Sequence, residues 1–412
     1  MSRTVPGPGQ PRVLYIVYWG AAEPLGQSLV VPAVMRLADL GARVTLMTFD
    51  KPSDLERAAE IQGIRRALDQ KGVRWVSLRY HKHPQSLAKA FDALHGCARG
   101  VAARLHGRFD IVHARTFFGG LMGMALAPLL RARLIYHNEG FYPDEQVDGG
   151  VWKLGSARHR LARRVERCLY ARAHGIITLS NRACAVVESL STVKRRRTPV
   201  IVVPSCVDLD RFHAIAEPTA AESGLRLVYI GSAGLRYLFD RVVQLAAVPA
   251  REIGGLQLRV LTRTHRRLVE DALVESGLPK ESWSVDAVPH AAMPGELAQS
   301  DAGLFFLTQG LSEHGCSPTK IGEYWACGLP VVTTPNVSDT DEIVRRERVG
   351  VIVTEHSEAG YLDAISELRT LLKDPDIKTR CRRAAEAHYA LEPGCQGQIA
   401  LYGQVLDEPW AR

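Results

Sequence analysis

The sequence predicts an α/β protein made of two doubly wound, Rossmann-like halves facing each other across a cleft. Three observations lead there. The chain has 412 residues, more than one hydrophobic core takes at about 150 residues per domain. Short continuous apolar runs alternate with longer amphipathic stretches, the pattern of parallel strands covered by helices on both faces. The alternation pauses at a proline-bounded segment near residue 204 and then begins again.

Each element follows from its local pattern. Residues 12–18 (RVLYIVY) form a buried-strand run that ends at Gly20. Residues 25–40 carry helical periodicity and stop at Gly41, a residue suited to a helix C-terminus. Strands follow at 43–49 and 73–78, with a helix near 55–70 between them. Residues 110–113 (DIVH) are a short strand, 118–130 an apolar helix, and 134–137 and 176–179 further strands, with a helix over 182–190. Residues 199–204 (PVIVVP) read as the last strand of the first half running into a linker. The second half repeats the scheme with strands at 226–230, 256–261, 284–288, 303–307 and 330–333. The expected domains are 1–204, 205–393 and a C-terminal helix, 394–412, that crosses back to the first. Ligands of such sheets sit beyond the carboxyl ends of the strands, so the loops after residues 18, 113, 137, 230, 261, 288 and 307 are the ones to search.

Composition narrows the class. Hydrophobic residues make up 46% and charged residues 23%, which excludes a disordered, collagen-like or disulfide-scaffold protein. The net charge of +8 conceals a division. Residues 1–204 hold 31 Lys and Arg against 15 Asp and Glu, and the remainder 21 against 29. Halves of opposite sign face different partners, and a nucleic-acid binder has no reason to divide this way. None of the eight cysteines forms a CxxC pair, so zinc and thioredoxin patterns are absent. With no secretory leader and no window near the ~20 apolar residues of a membrane span, the expectation is a reduced, cytoplasmic protein. The basic run Lys194 to Arg197 reads as a solvated loop or as an electrostatic tether to anionic lipid at about 1 kcal/mol per basic residue.

The most specific segment is 315–332, GCSPTKIGEYWACGLPVV. A polar loop opens a helix with Ser317 as N-cap and Pro318 at the first helical position. Free amides there form an anion site. Lys320, one turn in, adds a point charge suited to phosphate, and Glu323 lies on the same face, where a carboxylate accepts hydrogen bonds from vicinal ribose hydroxyls. Pro318, Lys320, Glu323, Tyr324, Ala326, Gly328, Pro330, Val331 and Val332 together resemble the donor-binding motif of retaining GT-B glycosyltransferases of family 4 (group 1). Residues 203–208 with Phe212, 230–234 and 110–113 resemble, in order, further stretches of that family.

The resemblance implies a sugar transferred from a nucleoside diphosphate donor to a hydroxyl acceptor with retention, without cofactor or metal. It implies that Glu323 binds ribose, and that Lys320, Ser317 and Thr319 face the pyrophosphate or sugar. Gly231 and Ser232 would let backbone approach the phosphates, Arg236 would neutralise them, and Arg263 and His290 would border the nucleobase. Gly20 would approach the pyrophosphate from the other domain. Asp144 and Glu145 are candidates for acceptor hydroxyls. His113, Arg115 and Glu139, at strand ends, are the candidate catalytic residues, with a satisfied core histidine as the alternative for His113. The acceptor is expected to be anionic or lipid-linked, at a membrane surface. Two departures stand out. Gly315 occupies the place where many members carry a first glutamate, and Arg115 stands where a second histidine is usual. An inactive nucleotide-sugar scaffold and a sugar-nucleotide epimerase are the rival readings.

Overall fold

The computed structural model describes residues 10–214, 224–234, 236–253 and 255–407. The chain divides into two compact units. Unit 1 takes residues up to 143, 155–204 and the segment from 391 on; unit 2 takes 144–154 and 205–390. The expected first domain, 1–204, thus contains a short stretch that groups with the second.

Unit 1 is built on a seven-stranded parallel sheet in the order β3-β2-β1-β4-β5-β6-β7. The strands are β1 (Arg12–Val17), β2 (Arg43–Asp50), β3 (Arg74–Arg79), β4 (Ile111–Arg115), β5 (Arg133–His137), β6 (Gly175–Thr178) and β7 (Val200–Val202). β1 pairs with both β2 and β4, so the winding direction reverses between β1 and β4. The apolar stretch near 120 is the buried Phe117–Leu130 helix. The first helix differs from expectation in its opening. A π-helical turn, Gly26–Val30, precedes the regular Val31–Asp39 helix. The basic run ends the Ser191–Arg196 helix rather than forming a loop, a placement that suits cations because the helix C-terminus is partially negative.

Unit 2 has a six-stranded parallel sheet in the order β10-β9-β8-β11-β12-β13. Its strands are β8 (Leu225–Ile230), β9 (Leu256–Leu261), β10 (Trp283–Asp286), β11 (Ala302–Phe305), β12 (Val331–Thr333) and β13 (Gly350–Ile352). The period-2 alternation of a strand sends Leu227 and Tyr229 into one core cluster and Val228 and Ile230 into another. Both faces of the sheet are therefore buried, as the unbroken apolar runs require. The reversal of winding falls between β8 and β11.

Elements with no counterpart in the sequence reading include β13, the Gln85–Ala103 and Ala157–Arg172 helices, and the helices Thr340–Glu347, Glu358–Leu372 and Ile377–His388. The Leu391–Asp407 helix closes unit 1 against Val31–Asp39. Among the described residues, no helix is long and apolar enough to cross a membrane, and no cluster of three His, Cys, Asp or Glu side chains is arranged to hold a metal ion.

Helix and sheet meet most tightly in unit 2 at Gly303. A Cβ there would stand 2.3 Å from the Tyr324 ring, and Tyr324 is itself fixed, its hydroxyl donating to the Leu304 carbonyl and accepting from Ile230 N–H. Gly303→Ala is expected to lower the unfolding free energy by about 2 kcal/mol through overpacking, read as a fall in denaturation midpoint at unchanged m-value.

Candidate functional site

The loops at the winding reversal of unit 2 gather the strongest candidates. β8 ends at Ile230, and Gly231 follows with φ of +102°, a conformation that L side chains rarely adopt. A Cβ on Gly231 would lie 2.8 Å from Lys320 Nζ, so only glycine leaves the ammonium its place. Lys320 belongs to the first turn of the Thr319–Ala326 helix. The helix begins one residue later than expected. Pro318 occupies the N-cap without a side-chain cap, while Ser317 turns its hydroxyl to accept from Ser205 N–H at 3.0 Å.

Lys320 Nζ is buried and has no hydrogen-bond partner among the described residues. Three aromatic rings surround it, with centroids at 4.3 Å (Tyr237), 5.0 Å (Tyr229) and 5.2 Å (Phe305). Desolvation lowers its pKa to about 7, against the opposing pull of Glu323. An unpaired buried ammonium is costly, and cation–π contacts offset only part of that cost.

Glu323, one turn further along, is buried at 6% exposure. His290 Nε2 stands 3.5 Å from its Oε1. Both ring nitrogens of His290 are buried without a hydrogen-bond partner, and the ring packs beside Phe212 at 5.6 Å. Lys320 and His290, two desolvated polar groups of one neighbourhood, are thus left without hydrogen bonds to the described residues. Native structures seldom leave such groups unpaired except where a ligand completes them. Ser232 exchanges a hydrogen bond with His265 Nδ1 at 3.0 Å, and Arg263 Nε reaches the Val288 carbonyl.

Arg236 and the acidic segment occupy a different arrangement from the expected one. Asp144 and Glu145 lie in the Tyr142–Asp148 helix and group with unit 2 rather than with the first domain. Glu145 forms an ion pair with Arg236 at 3.1 Å, and Arg236 also donates to Cys316 Sγ. Asp144 is buried. Asp148, at the end of the same helix, accepts from the amides of Leu311 and Ser312 and from the Ser312 hydroxyl. Glu145 and Asp148 thereby brace the loops around the Lys320 helix.

Unit 1 places its candidates at the ends of β1, β4 and β5. Gly20 is buried, and a Cβ there would meet Asp50 Oδ1 at 2.9 Å. Asp50 holds the loop by accepting from Ala21 N–H at 2.8 Å; it also accepts from the Thr48 and Ser77 hydroxyls. His113 matches the core-histidine alternative. It is fully buried, with Nδ1 on the Tyr402 hydroxyl at 2.6 Å and Nε2 on His137 Nδ1 at 3.1 Å. Arg115 is buried too, pairing with Glu139 and donating to the Tyr15 hydroxyl. Glu139 is the most exposed of the three, at 17% of its side chain. Burial first, and the Arg115 charge second, hold both histidines well below the usual 6.5. The partners of His113, on Leu391–Asp407 and on β5, lie far off in sequence and could not be read from it.

Residues 30–206 match the family described as "Glycosyl transferase 4-like domain", and residues 224–370 match "Glycosyl transferases group 1". No curated protein matches the chain significantly. Solved structures with the same fold include sucrose-phosphate synthase from Thermosynechococcus elongatus (17% identity, TM-score 0.68, covering 96% of this chain and 99% of that one). HepE from Anabaena, solved in complex with UDP, is 14% identical with a TM-score of 0.66, covering 95% and 100%. The lipopolysaccharide outer core galactosyltransferase WaaB is 11% identical with a TM-score of 0.62, covering 95% and 99%. The chain is a glycosyltransferase of the GT-B fold. Its first portion is of the 4-like type and its second of the group 1 type.

Two pH effects follow. Lys320 binds a proton more weakly in the folded state (pKa about 7) than unfolded, so the ligand-free protein gains stability as pH rises from 7 toward the unfolded value of about 10.4. Lys320→Met is expected to remove that rise and to add about 2 kcal/mol at neutral pH, measured by denaturant titration. His113 and His137 bind protons more weakly folded than unfolded. Their contribution is complete above about 6.5 and is lost as pH falls below it. Hydrogen exchange at β4 and β5 amides is expected to accelerate through opening as pH drops toward 5, after correction for intrinsic rates; an unchanged protection factor counts against this.

Proposed function

We propose that unit 2 binds a nucleoside diphosphate sugar and that the protein transfers the sugar, with retention, to a hydroxyl of an acceptor held by unit 1. The buried, unpartnered Lys320 ammonium beside the Gly231 loop carries the reading. Such a group is disfavoured in the empty protein and favoured by an anionic ligand, and the start of the Thr319–Ala326 helix adds its positive end. Together they neutralise the charge that develops on a departing diphosphate, an electrostatic role that needs no metal. Glu323, three residues on, accepts from ribose hydroxyls, and His290 offers its unpaired nitrogens to the nucleoside.

HepE, solved with UDP-glucose, makes uridine diphosphate the first nucleotide to try. Ser232 and Arg263 border the same ligand, while Arg236 acts through its ion pair with Glu145. In unit 1, Glu139 is the group to orient an acceptor hydroxyl, held by Arg115, and His113 positions the strand ends through Tyr402. The net positive charge of residues 1–204 favours an anionic or lipid-linked acceptor reached from the cytoplasmic side.

The test is calorimetry with a panel of nucleoside diphosphates and their sugars. Glu323→Ala is expected to weaken the preferred nucleotide about 30-fold, the loss of a charge-assisted hydrogen bond worth about 2 kcal/mol, with an unchanged denaturation midpoint. Unaltered affinity in that variant removes the assignment.

A further inference from the structure

The Gln85–Ala103 helix of unit 1 is turned the wrong way for a helix that faces only water. Its inner side carries small residues. A Cβ on Gly96 would lie 2.7 Å from Met122 Sδ and 2.8 Å from a Phe49 ring carbon, and one on Gly100 would lie 2.7 Å from Leu126 Cδ1. Ala88 and Ala103 are buried on the same side. The large apolar residues point outward. Leu87 is 70% exposed, Phe91 54%, Leu94 72% and Val101 45%. With Ala98 they recur every three or four residues, so they form one stripe along the helix, and Leu105, in the turn that follows, prolongs it at 87% exposure. A contiguous apolar stripe on a surface marks an interaction site.

The charges around the stripe say what the partner is. Gln85–Ala103 packs beside Phe117–Leu130, and that helix beside Ala157–Arg172. Across these three helices the only acidic residues are Asp92 and Glu166, and both are buried, at 0% and 1% exposure. Asp92 is consumed by Tyr18 and His81, and Glu166 pairs with Arg163. The exposed charges are all positive: Arg99 on the first helix, and Arg158, Arg160, Arg164, Arg167 and Arg172 on the third. The basic end of Ser191–Arg196 packs next to that third helix. An amphipathic helix with outward Leu and Phe, flanked by a basic field without exposed acids, has the makeup of an interfacial membrane helix.

We propose that this helical layer of unit 1 docks on an anionic lipid bilayer, with Leu87, Phe91, Leu94 and Val101 entering the acyl boundary and the arginines meeting the headgroups. Docking by this face would hold unit 1 at the surface where a lipid-linked acceptor lies. The proposal rests on the surface of unit 1 and not on the donor site of unit 2, so each can fail without the other.

The experiment is co-sedimentation of the full chain with vesicles of phosphatidylcholine alone and with about one third phosphatidylglycerol. The chain is expected to pellet with the anionic vesicles and to stay in solution with the neutral ones. Phe91→Glu/Leu94→Glu is expected to reduce the bound fraction at least about tenfold, while the denaturation midpoint and nucleotide affinity hold. Arg164→Gln/Arg167→Gln is expected to weaken binding at low salt and to flatten its salt dependence. Failure of the parent chain to bind anionic vesicles overturns the proposal, as does equal binding by the Phe91/Leu94 variant. A concentration-dependent dimer in sedimentation velocity that the same variant dissolves, without vesicle binding, assigns the stripe to a second copy and overturns it too.

Discussion

Both units depend on a reversal in the direction of strand winding. In each sheet the first strand is central, and successive strands are added to one side of it and then to the other. The connections therefore diverge at β1/β4 and at β8/β11, and the backbone leaves an opening beyond those carboxyl ends. Gly231 follows β8 directly, and the loop after β11 leads to the Lys320 helix. Gly20 and Arg115 stand at the equivalent places in unit 1. The polar groups of the candidate site sit beside the opening that this reversal creates.

Within that opening, the two units treat burial differently. At the ends of β4 and β5, unit 1 ties its buried polar side chains to one another. Tyr402, His113 and His137 form one connected set, and Tyr15, Arg115 and Glu139 another beside it. In unit 2, Lys320 Nζ and both His290 nitrogens make no hydrogen bond to the described residues. A satisfied network rigidifies a fold, whereas an unsatisfied one stores a preference for whatever completes it.

Much of this was legible in the sequence. The alternation of apolar runs identified twelve of the thirteen strands, because fully buried parallel strands have unbroken apolar sequences. The segment around Lys320 and Glu323 was legible for a second reason, since a helix start, a cation and a carboxylate fall within one turn of each other. The misses have physical causes. β13 is three residues long and gives no period. The Gln85–Ala103 helix hides because its large apolar residues face outward and glycines occupy its inner side, which inverts the pattern that a buried face normally writes. The partners of Arg236 and His113 came from segments far away in sequence, and no local spacing encodes an ion pair with Glu145 or a hydrogen bond from Tyr402.

The chain crosses from one unit to the other four times, after residues 143, 154, 204 and 390. The last crossing sets an order of events during synthesis. Every residue of unit 2 precedes the Leu391–Asp407 helix, so unit 2 can fold while unit 1 still lacks the element whose Cys395 reaches the Ala33 carbonyl and whose Tyr402 pairs with the His113 ring. Domains ordinarily fold from the N-terminus as they emerge. Here the domain that begins the chain is the one that finishes last, and until then its sheet carries two buried histidines with one side of their network open.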